Sequence, residues 1–459
     1  MTIRHLALGA ALLSLAAGCS DGGTPPPVNP PPIASIHITS TDTVLSPMET
    51  AQYQADIVDT TGALVLRAIS WGVRDSGLAS ISAAGVLNAL GTGTTWIIAS
   101  VDTVTDSLPL RLTRSFTAVS VGVYGACGIA ADSAAYCWGS PSGTFPVLPN
   151  GLPNLVDGGF KWTAISAGAS AACGVVVTGE GYCWGQDGPY HHLGVANGTG
   201  FISPSLVLNG YLYREIDVGL EHTCGVTTTG GGVCWGKDAH GELGDSSHVA
   251  KLATPVHGGF SWLTIHADGY TTCGLSQGGQ AYCWGVNADG YLGIDSTNLF
   301  DVVEPLPLQS PDVYATVEMS SLSQCALKAG GQAYCWGYNS AGQLGRGTAD
   351  AVVYRTPQPV TGGHLFSAIS AGEDGYCALA AADSTAWCWG TGQGLGTAPP
   401  LTQPTPVSGG HKFVAIASGT RASCGLTPGG ALWCWGNDPL GDGVVHGGEV
   451  FTPVRVRDP

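Results

Sequence analysis

The sequence predicts an all-β protein in which a seven-bladed β-propeller follows a small β-sandwich domain. A cysteine, nine or ten residues and then Cys-Trp-Gly recur seven times, at intervals of about 50 residues, and a period of this length is typical of solenoids and propellers. Glycine (70 residues) and proline (28) are abundant, while only 11% of residues are charged. This composition favours many short strands joined by tight turns.

Residues 1–18 have the organisation of an export signal. Arg4 precedes an apolar run that ends in small residues before Cys19, and the run is too short to span a bilayer. The segment from Leu15 to Cys19 resembles a bacterial lipoprotein signal, although Ala16 stands where that family prefers leucine. The resemblance implies lipidation of Cys19, and the following Ser20 implies the outer membrane. The alternative is an ordinary secretory signal with an incidental cysteine.

Residues 19–32 are predicted to hold the lipidated cysteine and a tether. Six prolines lie between positions 20 and 32, and proline-rich segments favour the extended polyproline II conformation at about 3.1 Å per residue. The tether therefore has a reach of roughly 40 Å between a membrane and the folded domains.

Residues 33–113 lack cysteine and are predicted to form a β-sandwich. Segments such as 36–39, 79–82 and 96–101 alternate apolar and polar residues or are β-branched, and glycine-rich turns separate them. The segments 69–71, 79–87 and 91–99 resemble the bacterial immunoglobulin-like group 2 domain, a spacer and adhesion module of surface proteins. Trp71 is predicted to be its buried core tryptophan.

Residues 114–459 contain the seven repeats. Each repeat has an apolar segment, a strand around the first cysteine, a strand ending in Cys-Trp-Gly, and a loop that leads to a Pro-Val strand. Four strands repeated seven times indicate a propeller. The pattern resembles the regulator of chromosome condensation repeat family, most closely at 334–345. We expect the seven Cys-Trp-Gly tryptophans to pack between blades, and the last strand, near 452–456, to complete the first blade's sheet.

Fourteen cysteines form seven pairs within repeats, and we predict seven local disulfides in an oxidising compartment. Facing positions of a hairpin lie within disulfide range, whereas a zinc site favours cysteines two to four residues apart. Cys377 and Cys388 are one residue further apart, which predicts a bulge or a longer turn there. The predicted pairs are Cys127 with Cys137, Cys173 with Cys183, Cys224 with Cys234, Cys273 with Cys283, Cys325 with Cys335, Cys377 with Cys388, and Cys424 with Cys434.

The predicted function is recognition without catalysis. A net charge of -17 excludes nucleic acid as a favoured partner, and no metal, cofactor or catalytic motif is found in the sequence. We expect a monomeric surface lipoprotein of the bacterial outer membrane that binds a protein or a glycan. The alternatives are an enzyme inhibitor, a propeller lyase and a nucleotide-exchange-like activity, of which the last conflicts with the export signal.

The loops after Trp-Gly differ most between repeats and are the predicted binding surface. They span 186–194, 237–244, 286–293 and 338–345. Tyrosine and histidine combine apolar area with a polar tip, and on this ground the candidate ligand contacts are Tyr190, His191, His240, Tyr291 and Tyr338.

Overall fold

The computed structural model describes residues 30–40, 43–47, 49–139, 151–195, 201–294, 300–391, 401–438 and 440–457. The predicted all-β class is confirmed, since the described part of the chain consists of strands and turns with one short 3-10 helix at Ala288–Gly290. The export signal, Cys19 and most of the tether lie outside the described residues. Within the described ranges, no helix is long and apolar enough to cross a membrane.

The described residues of the N-terminal domain form nine strands. They are β1 (Ile33–Ile38), β2 (Val44–Leu45), β3 (Thr50–Gln52), β4 (Ala55–Asp59), β5 (Ser70–Val73), β6 (Ala79–Ile81), β7 (Val86–Ala89), β8 (Gly93–Val101) and β9 (Val104–Leu112). Strands β2, β9, β8 and β5 form one sheet, β3, β7 and β6 a second, and β1 pairs with β4. Alternate residues of β8, among them Ile97 and Ala99, are fully buried, as expected for a strand with one face in a core. Trp71 packs against this core but is only half-buried.

Residues 116–455 form seven consecutive four-stranded antiparallel sheets in the described part of the chain, here called ring sheets 1 to 7. Sheets 1 to 4 contain β10 (Phe116–Val121), β11 (Gly125–Ala130), β12 (Ala135–Gly139) and β13 (Asn154–Leu155); β14 (Trp162–Ala167), β15 (Ala171–Val176), β16 (Gly181–Gly185) and β17 (Phe201–Leu206); β18 (Tyr213–Val218), β19 (His222–Thr227), β20 (Gly232–Gly236) and β21 (Lys251–Pro255); and β22 (Trp262–Asp268), β23 (Thr271–Ser276), β24 (Ala281–Val286) and β25 (Asp301–Pro307). Sheets 5 to 7 contain β26 (Thr316–Ser320), β27 (Ser323–Leu327), β28 (Ala333–Asn339) and β29 (Asp350–Pro359); β30 (Phe366–Ala371), β31 (Asp374–Ala380), β32 (Ala386–Thr391) and β33 (Leu401–Pro406); and β34 (Ala415–Ser418), β35 (Ala422–Leu426), β36 (Leu432–Gly436) and β37 (Val450–Arg455).

The ring has two distinct faces. On one, the turn between the first two strands of a sheet meets the loop that follows the third, as when Gln186 N donates to Ser170 O at 2.9 Å. We call this the loop face. On the other, the hairpin turn between the second and third strands meets the start of the next sheet, as when Trp162 N donates to Ser133 O at 2.9 Å. We call this the hairpin face.

The last strand belongs to ring sheet 7, so the prediction that it completes the first sheet is wrong. Strand β37 pairs with β36, with Val454 opposite Cys434, as the fourth strand does in every other ring sheet. The ring is closed by contact instead, since Phe116 N donates to the hairpin-turn carbonyl of Gly430 at 2.8 Å. The seventh unit supplies its own fourth strand, which leaves no open position for one from elsewhere.

The tryptophan of each Cys-Trp-Gly is fully buried between neighbouring sheets, at positions 138, 184, 235, 284, 336, 389 and 435. In five of the loops that the structure describes, a glycine of the preceding sheet's loop lies against the next indole, and a Cβ at Gly244 would stand 2.7 Å from Trp284 Nε1. Trp284 Nε1 also donates to Glu242 O at 2.8 Å, and Trp336 and Trp389 make the same bond to loop carbonyls. The loops after Trp-Gly therefore connect neighbouring sheets.

All seven local disulfides are present in the structure, each between facing residues of a second and a third strand with Cα atoms 4.1 Å apart. The Cys377–Cys388 pair keeps an unbroken register. Its extra residue lies in the hairpin turn, where Ala380 N donates to Thr385 O, whereas the turn of sheet 1 closes from Ala130 N to Ala134 O. Of the two predicted alternatives, a bulge and a longer turn, the structure shows the longer turn.

Candidate functional site

The loops after Trp-Gly share a rigid base. An aspartate or asparagine two residues after the glycine accepts a hydrogen bond from the amide of a leucine further along, as Asp238 Oδ1 does from Leu243 N at 3.0 Å. The loops of sheets 2, 4 and 5 repeat the bond, and the leucines are fully buried. This bond fixes both ends of the segment between the two residues, and the buried leucine holds its far end against the ring.

Tyr291 is buried, so its prediction as a ligand contact is wrong. It is 2% exposed and packs in the core cluster between sheets 4 and 5. Its ring lies 5.9 Å from that of Tyr338, a partly buried residue whose hydroxyl donates to Asp289 Oδ2 at 2.7 Å. Tyr291 directly precedes the buried loop leucine, and this position turns its side chain into the ring. Burial also raises its pKa.

The structure brings Tyr190 and His240 together with residues that sequence analysis missed. Lys237 Nζ lies 5.4 Å from the ring centre of Tyr190 and 4.6 Å from that of Tyr270. His240 in turn lies 5.8 Å from Tyr270 and 6.1 Å from Phe300, both with edge-on geometry. We call these five residues the aromatic patch. It lies on the loop face across ring sheets 2 to 4.

The aromatic patch combines exposed rings with neutralised charges. Tyr190, Tyr270 and Phe300 are 37%, 45% and 61% exposed. Lys237 forms an ion pair with Glu221, and although burial alone would lower the pKa of Lys237, this contact raises it. His240 Nδ1 lies 2.9 Å from Asp301 Oδ1. Such a surface offers flat apolar area with few uncompensated charges to desolvate on binding.

His191 lies outside this arrangement. Its side chain is half exposed, its φ is 57°, and its Nδ1 lies 3.3 Å from Asp187 Oδ2. The carboxylate of Asp187 also accepts the amide of Leu193 at 3.2 Å. His191 is thus positioned at the rim of the loop of sheet 2, next to Tyr190 in sequence.

Two buried histidines lie in the same sheets as the patch. His222 is 1% exposed, its Nε2 lies 2.9 Å from Thr272 Oγ1, and burial lowers its pKa to about 4. Burial likewise lowers the pKa of His192, which is also buried. Burial favours the neutral form of both side chains, and the contact of His222 with Thr272 links sheets 3 and 4.

A central cavity of about 800 Å³ is lined by the first strands of all seven ring sheets. Its ionisable side chains include Glu215, Asp217, His266, Asp268 and Glu318. Burial raises the pKa of Asp268 and of Glu318 to about 7 in both cases.

Asp217 and His266 form the centre of this cluster. Asp217 accepts hydrogen bonds from Ser166 Oγ at 2.8 Å and from Ala267 N at 2.9 Å. Its Oδ2 lies 3.6 Å from His266 Nδ1. Burial alone would raise the pKa of Asp217 and lower that of His266, but their interaction lowers the pKa of Asp217 and, together with the nearby carboxylates of Glu318 and Glu215, raises the pKa of His266 to about 10. The pair ties together sheets 2, 3 and 4. In the described ranges, no group of three or more His, Cys, Asp and Glu has a metal-binding arrangement.

Part of this site was visible in the sequence. Along the first strands of sheets 3 and 4, the ionisable residues Glu215, Asp217, His266 and Asp268 alternate with apolar residues. Polar side chains at every second position of a strand indicate that one of its faces lines a solvent-filled cavity. Tyr270 follows Gly269 in a short turn, which is a weaker signal. Nothing in the sequence brings Phe300 next to His240, because they belong to different sheets' loops.

Two segments of the chain match family models. Residues 330–379 and residues 413–441 each match the regulator of chromosome condensation (RCC1) repeat. The first match covers parts of ring sheets 5 and 6, and the second lies in sheet 7. A comparison with curated proteins finds no match.

Three solved structures have a similar fold over about two thirds or more of this chain. Human WBSCR16 is 18% identical, with a TM-score of 0.60 over 67% of this chain and 85% of its own. Prp20p of Saccharomyces cerevisiae is 20% identical, with a TM-score of 0.58 over 66% and 80%. Yeast RCC1 (Prp20) in its complex with Kap60 is 17% identical, with a TM-score of 0.60 over 75% and 85%. Together with the family matches, these structures support an RCC1-type propeller, and at such identities they establish the fold alone.

Proposed function

We propose that this chain is a non-catalytic binding protein of the bacterial cell surface. A lipid on Cys19 anchors it, an immunoglobulin-like domain spaces it from the membrane, and a seven-bladed propeller presents the loop face to a ligand. The aromatic patch is the single observation that carries the proposal. Support for the finer architecture comes from the seven four-stranded ring sheets and from the three small sheets of the N-terminal domain.

The aromatic patch has the chemistry of a protein-binding surface. Exposed Tyr270 and Phe300 supply large, stiff side chains that lose little conformational entropy on contact. Around them, the Lys237–Glu221 and His240–Asp301 pairs provide a polar rim. Protein interfaces concentrate their binding energy in such aromatic centres surrounded by polar groups.

The scaffold holds this surface in place before a ligand arrives. Seven disulfides cross-link the second and third strands, and the loop glycines and tryptophans connect neighbouring sheets. A surface that is already ordered pays less conformational entropy on binding. The same feature favours recognition by fixed shape over folding around a partner.

A protein partner with a basic surface fits the charge of the molecule. The net charge of -17 attracts a basic partner and accelerates encounter at low salt. Among the similar structures, Prp20p has been studied for binding to Gsp1p and histones, and yeast RCC1 is seen bound to Kap60. We therefore propose a protein ligand, with a glycan as the alternative outcome of the test.

The test compares two variants of the full chain in capture from envelope and host extracts. Tyr190→Ala, Tyr270→Ala and Phe300→Ala are combined in the patch variant. Tyr211→Ala and Phe451→Ala are combined in the control, because these aromatics are 39% and 42% exposed and lie outside the patch. We expect a protein held by the wild type and the control to be lost from the patch variant. Equal capture of the protein by both variants would show that the binding site lies outside the aromatic patch. If the patch variant instead lost a glycan that the wild type and the control hold, the ligand would be a glycan and not a protein.

A further inference from the structure

Arg455, at the end of the last ring strand, reaches into the N-terminal domain. Its Nη1 donates to Val44 O at 3.0 Å, and its Nη2 donates to Ser46 Oγ at 2.6 Å and to Glu49 Oε2 at 2.8 Å. Three acceptors about 410 positions away in the sequence thus converge on one guanidinium. Hydrogen bonds from a charged donor such as this guanidinium are roughly twice as strong as neutral ones, and the bond to Glu49 is also an ion pair.

The accepting turn is ordered by its own contacts. Ser46 N donates to Glu49 Oε2 at 2.7 Å, and Ser46 Oγ lies 3.1 Å from Thr113 Oγ1. Ser46 and Thr113 are both buried, and the Arg455 side chain is only 11% exposed. An ion pair shielded to this degree is screened by salt much less than an exposed one.

The segment that joins the domains is short and fixed at both ends. Strand β9 ends at Leu112 and β10 begins at Phe116, which leaves three connecting residues. Thr113 N donates to Leu45 O at 2.7 Å, and Phe116 N donates to Gly430 O at 2.8 Å. Between them, the Arg114 guanidinium lies 4.0 Å from the ring centre of Tyr136. The connection is therefore part of both domains rather than a free linker.

Every ring group in this contact lies at the hairpin face. Gly429 belongs to the hairpin turn of sheet 7, and a Cβ there would stand 2.9 Å from Glu49 Cγ. Trp433, near the start of β36, lies opposite Arg455 in the sheet, and the guanidinium is 5.8 Å from its ring centre. The aromatic patch occupies the opposite face.

We propose that Arg455 is a latch that fixes the N-terminal domain to the hairpin face, so that the domain and the ring move as one rigid body with the loop face directed away from it. Domains within one chain usually move relative to each other unless their interface is large and apolar, and here a charged contact supplies the restraint. The latch does not rest on the proposed function and would stand without it. Its consequence for that function is that the N-terminal domain and the aromatic patch lie at opposite ends of the molecule.

The test measures the joint directly in the full chain. Trypsin cleaves after arginine, and Arg114 lies in the connection, so its cleavage rate reports how often the joint opens. Hydrogen–deuterium exchange of 44–49 reports the accepting turn. The variants are Arg455→Ala, Glu49→Gln, which keeps the side-chain shape, and Arg457→Ala as the control, because Arg457 is an exposed neighbour on the same strand end.

We expect cleavage at Arg114 and exchange of 44–49 to rise at least five-fold in Arg455→Ala and by a smaller factor in Glu49→Gln, and to stay unchanged in Arg457→Ala. Cleavage and exchange rates in Arg455→Ala equal to those of the wild type would overturn the latch. Should Arg455→Ala fail to fold, as shown by free thiols, Glu49→Gln alone decides between these outcomes. Neither assay involves a ligand, so the result is independent of the capture experiment.

Discussion

Gly441 lies against the indole of Trp138, where the loop of the last ring sheet meets the first. A Cβ at position 441 would stand 3.0 Å from Trp138 Nε1, and the glycine has a φ of +78°. The same contact joins Gly244 to Trp284 and Gly293 to Trp336 within the ring. Ring closure therefore uses the ordinary contact between neighbours, with no exchanged strand.

Replacing Gly441 with alanine should destabilise the whole ring. The new Cβ meets the indole and the residue is held at positive φ, which together cost on the order of 1–3 kcal/mol. Thermal unfolding with a tryptophan signal measures the loss. Gly447→Ala is the matched control, because Gly447 also has positive φ (+66°) but has nothing within 4 Å of a Cβ. Equal destabilisation by both variants would assign the cost to backbone strain and not to the Trp138 contact.

Removing one disulfide should lower stability without changing the fold. Changing Cys273 and Cys283 together to alanine opens a cross-link of 10-residue separation, for which the chain-entropy model gives about 3 kcal/mol. Denaturant unfolding under non-reducing conditions measures the difference. Peptide mapping of the wild type without reduction should show only the seven local pairs. A bridge between repeats would contradict the register of the sheets.

Glu318→Gln should stabilise the protein at alkaline pH and have little effect in acid. Burial raises the pKa of Glu318 to about 7 from an ordinary value of 4.5, so the folded state favours the protonated form. That contribution is present below about pH 4.5 and is lost as the pH rises through 7. The amide has no proton to lose, and the gain well above pH 7 is on the order of 3 kcal/mol. Melting temperatures across this range test it, with Glu373→Gln as an exposed control from the same cavity. A gain that does not change with pH would contradict the mechanism.

Truncation to alanine should destabilise the protein at Tyr291 and have almost no effect on its stability at Tyr190. Tyr291→Ala removes a buried ring from between two sheets, which costs about 3–5 kcal/mol for an aromatic side chain. Tyr190→Ala, at an exposed position, should change stability by no more than about 0.5 kcal/mol. Chemical denaturation of both variants measures this. A Tyr291→Ala variant as stable as the wild type would contradict the packing of this side chain between the two sheets.

Export and anchoring are predicted to depend on Cys19, which lies outside the described residues. Cys19→Ala should release soluble protein or leave an uncut precursor, because the proposed lipid is attached through this cysteine. Detergent partitioning and the mass of the N-terminal peptide report this. Partitioning of the variant like the wild type would refute the lipid anchor.

The repeat pattern predicted the ring well because local geometry determines it. Once Cys224 faces Cys234, the register of their two strands determines which face of the sheet each side chain occupies. The tryptophan after the second cysteine then points to a neighbouring sheet. The site was harder, because it depends on contacts between repeats. Tyr291 and Tyr338 occupy similar loops in the sequence, yet one is buried and the other partly exposed. Tyr190, Tyr270 and Phe300 meet only after three sheets are assembled.

The position of the seven disulfides also determines how the molecule responds to mechanical load. Each joins the second strand of a sheet to the third, across a turn, so tension applied along the chain passes through the sulfur atoms and bypasses the hairpin. A stretched repeat can release only the residues outside its cross-link, each of which adds about 3.3–3.6 Å of length. Seven closed hairpins would then remain along the extended chain, each able to pair again with its neighbouring strands when the load is removed.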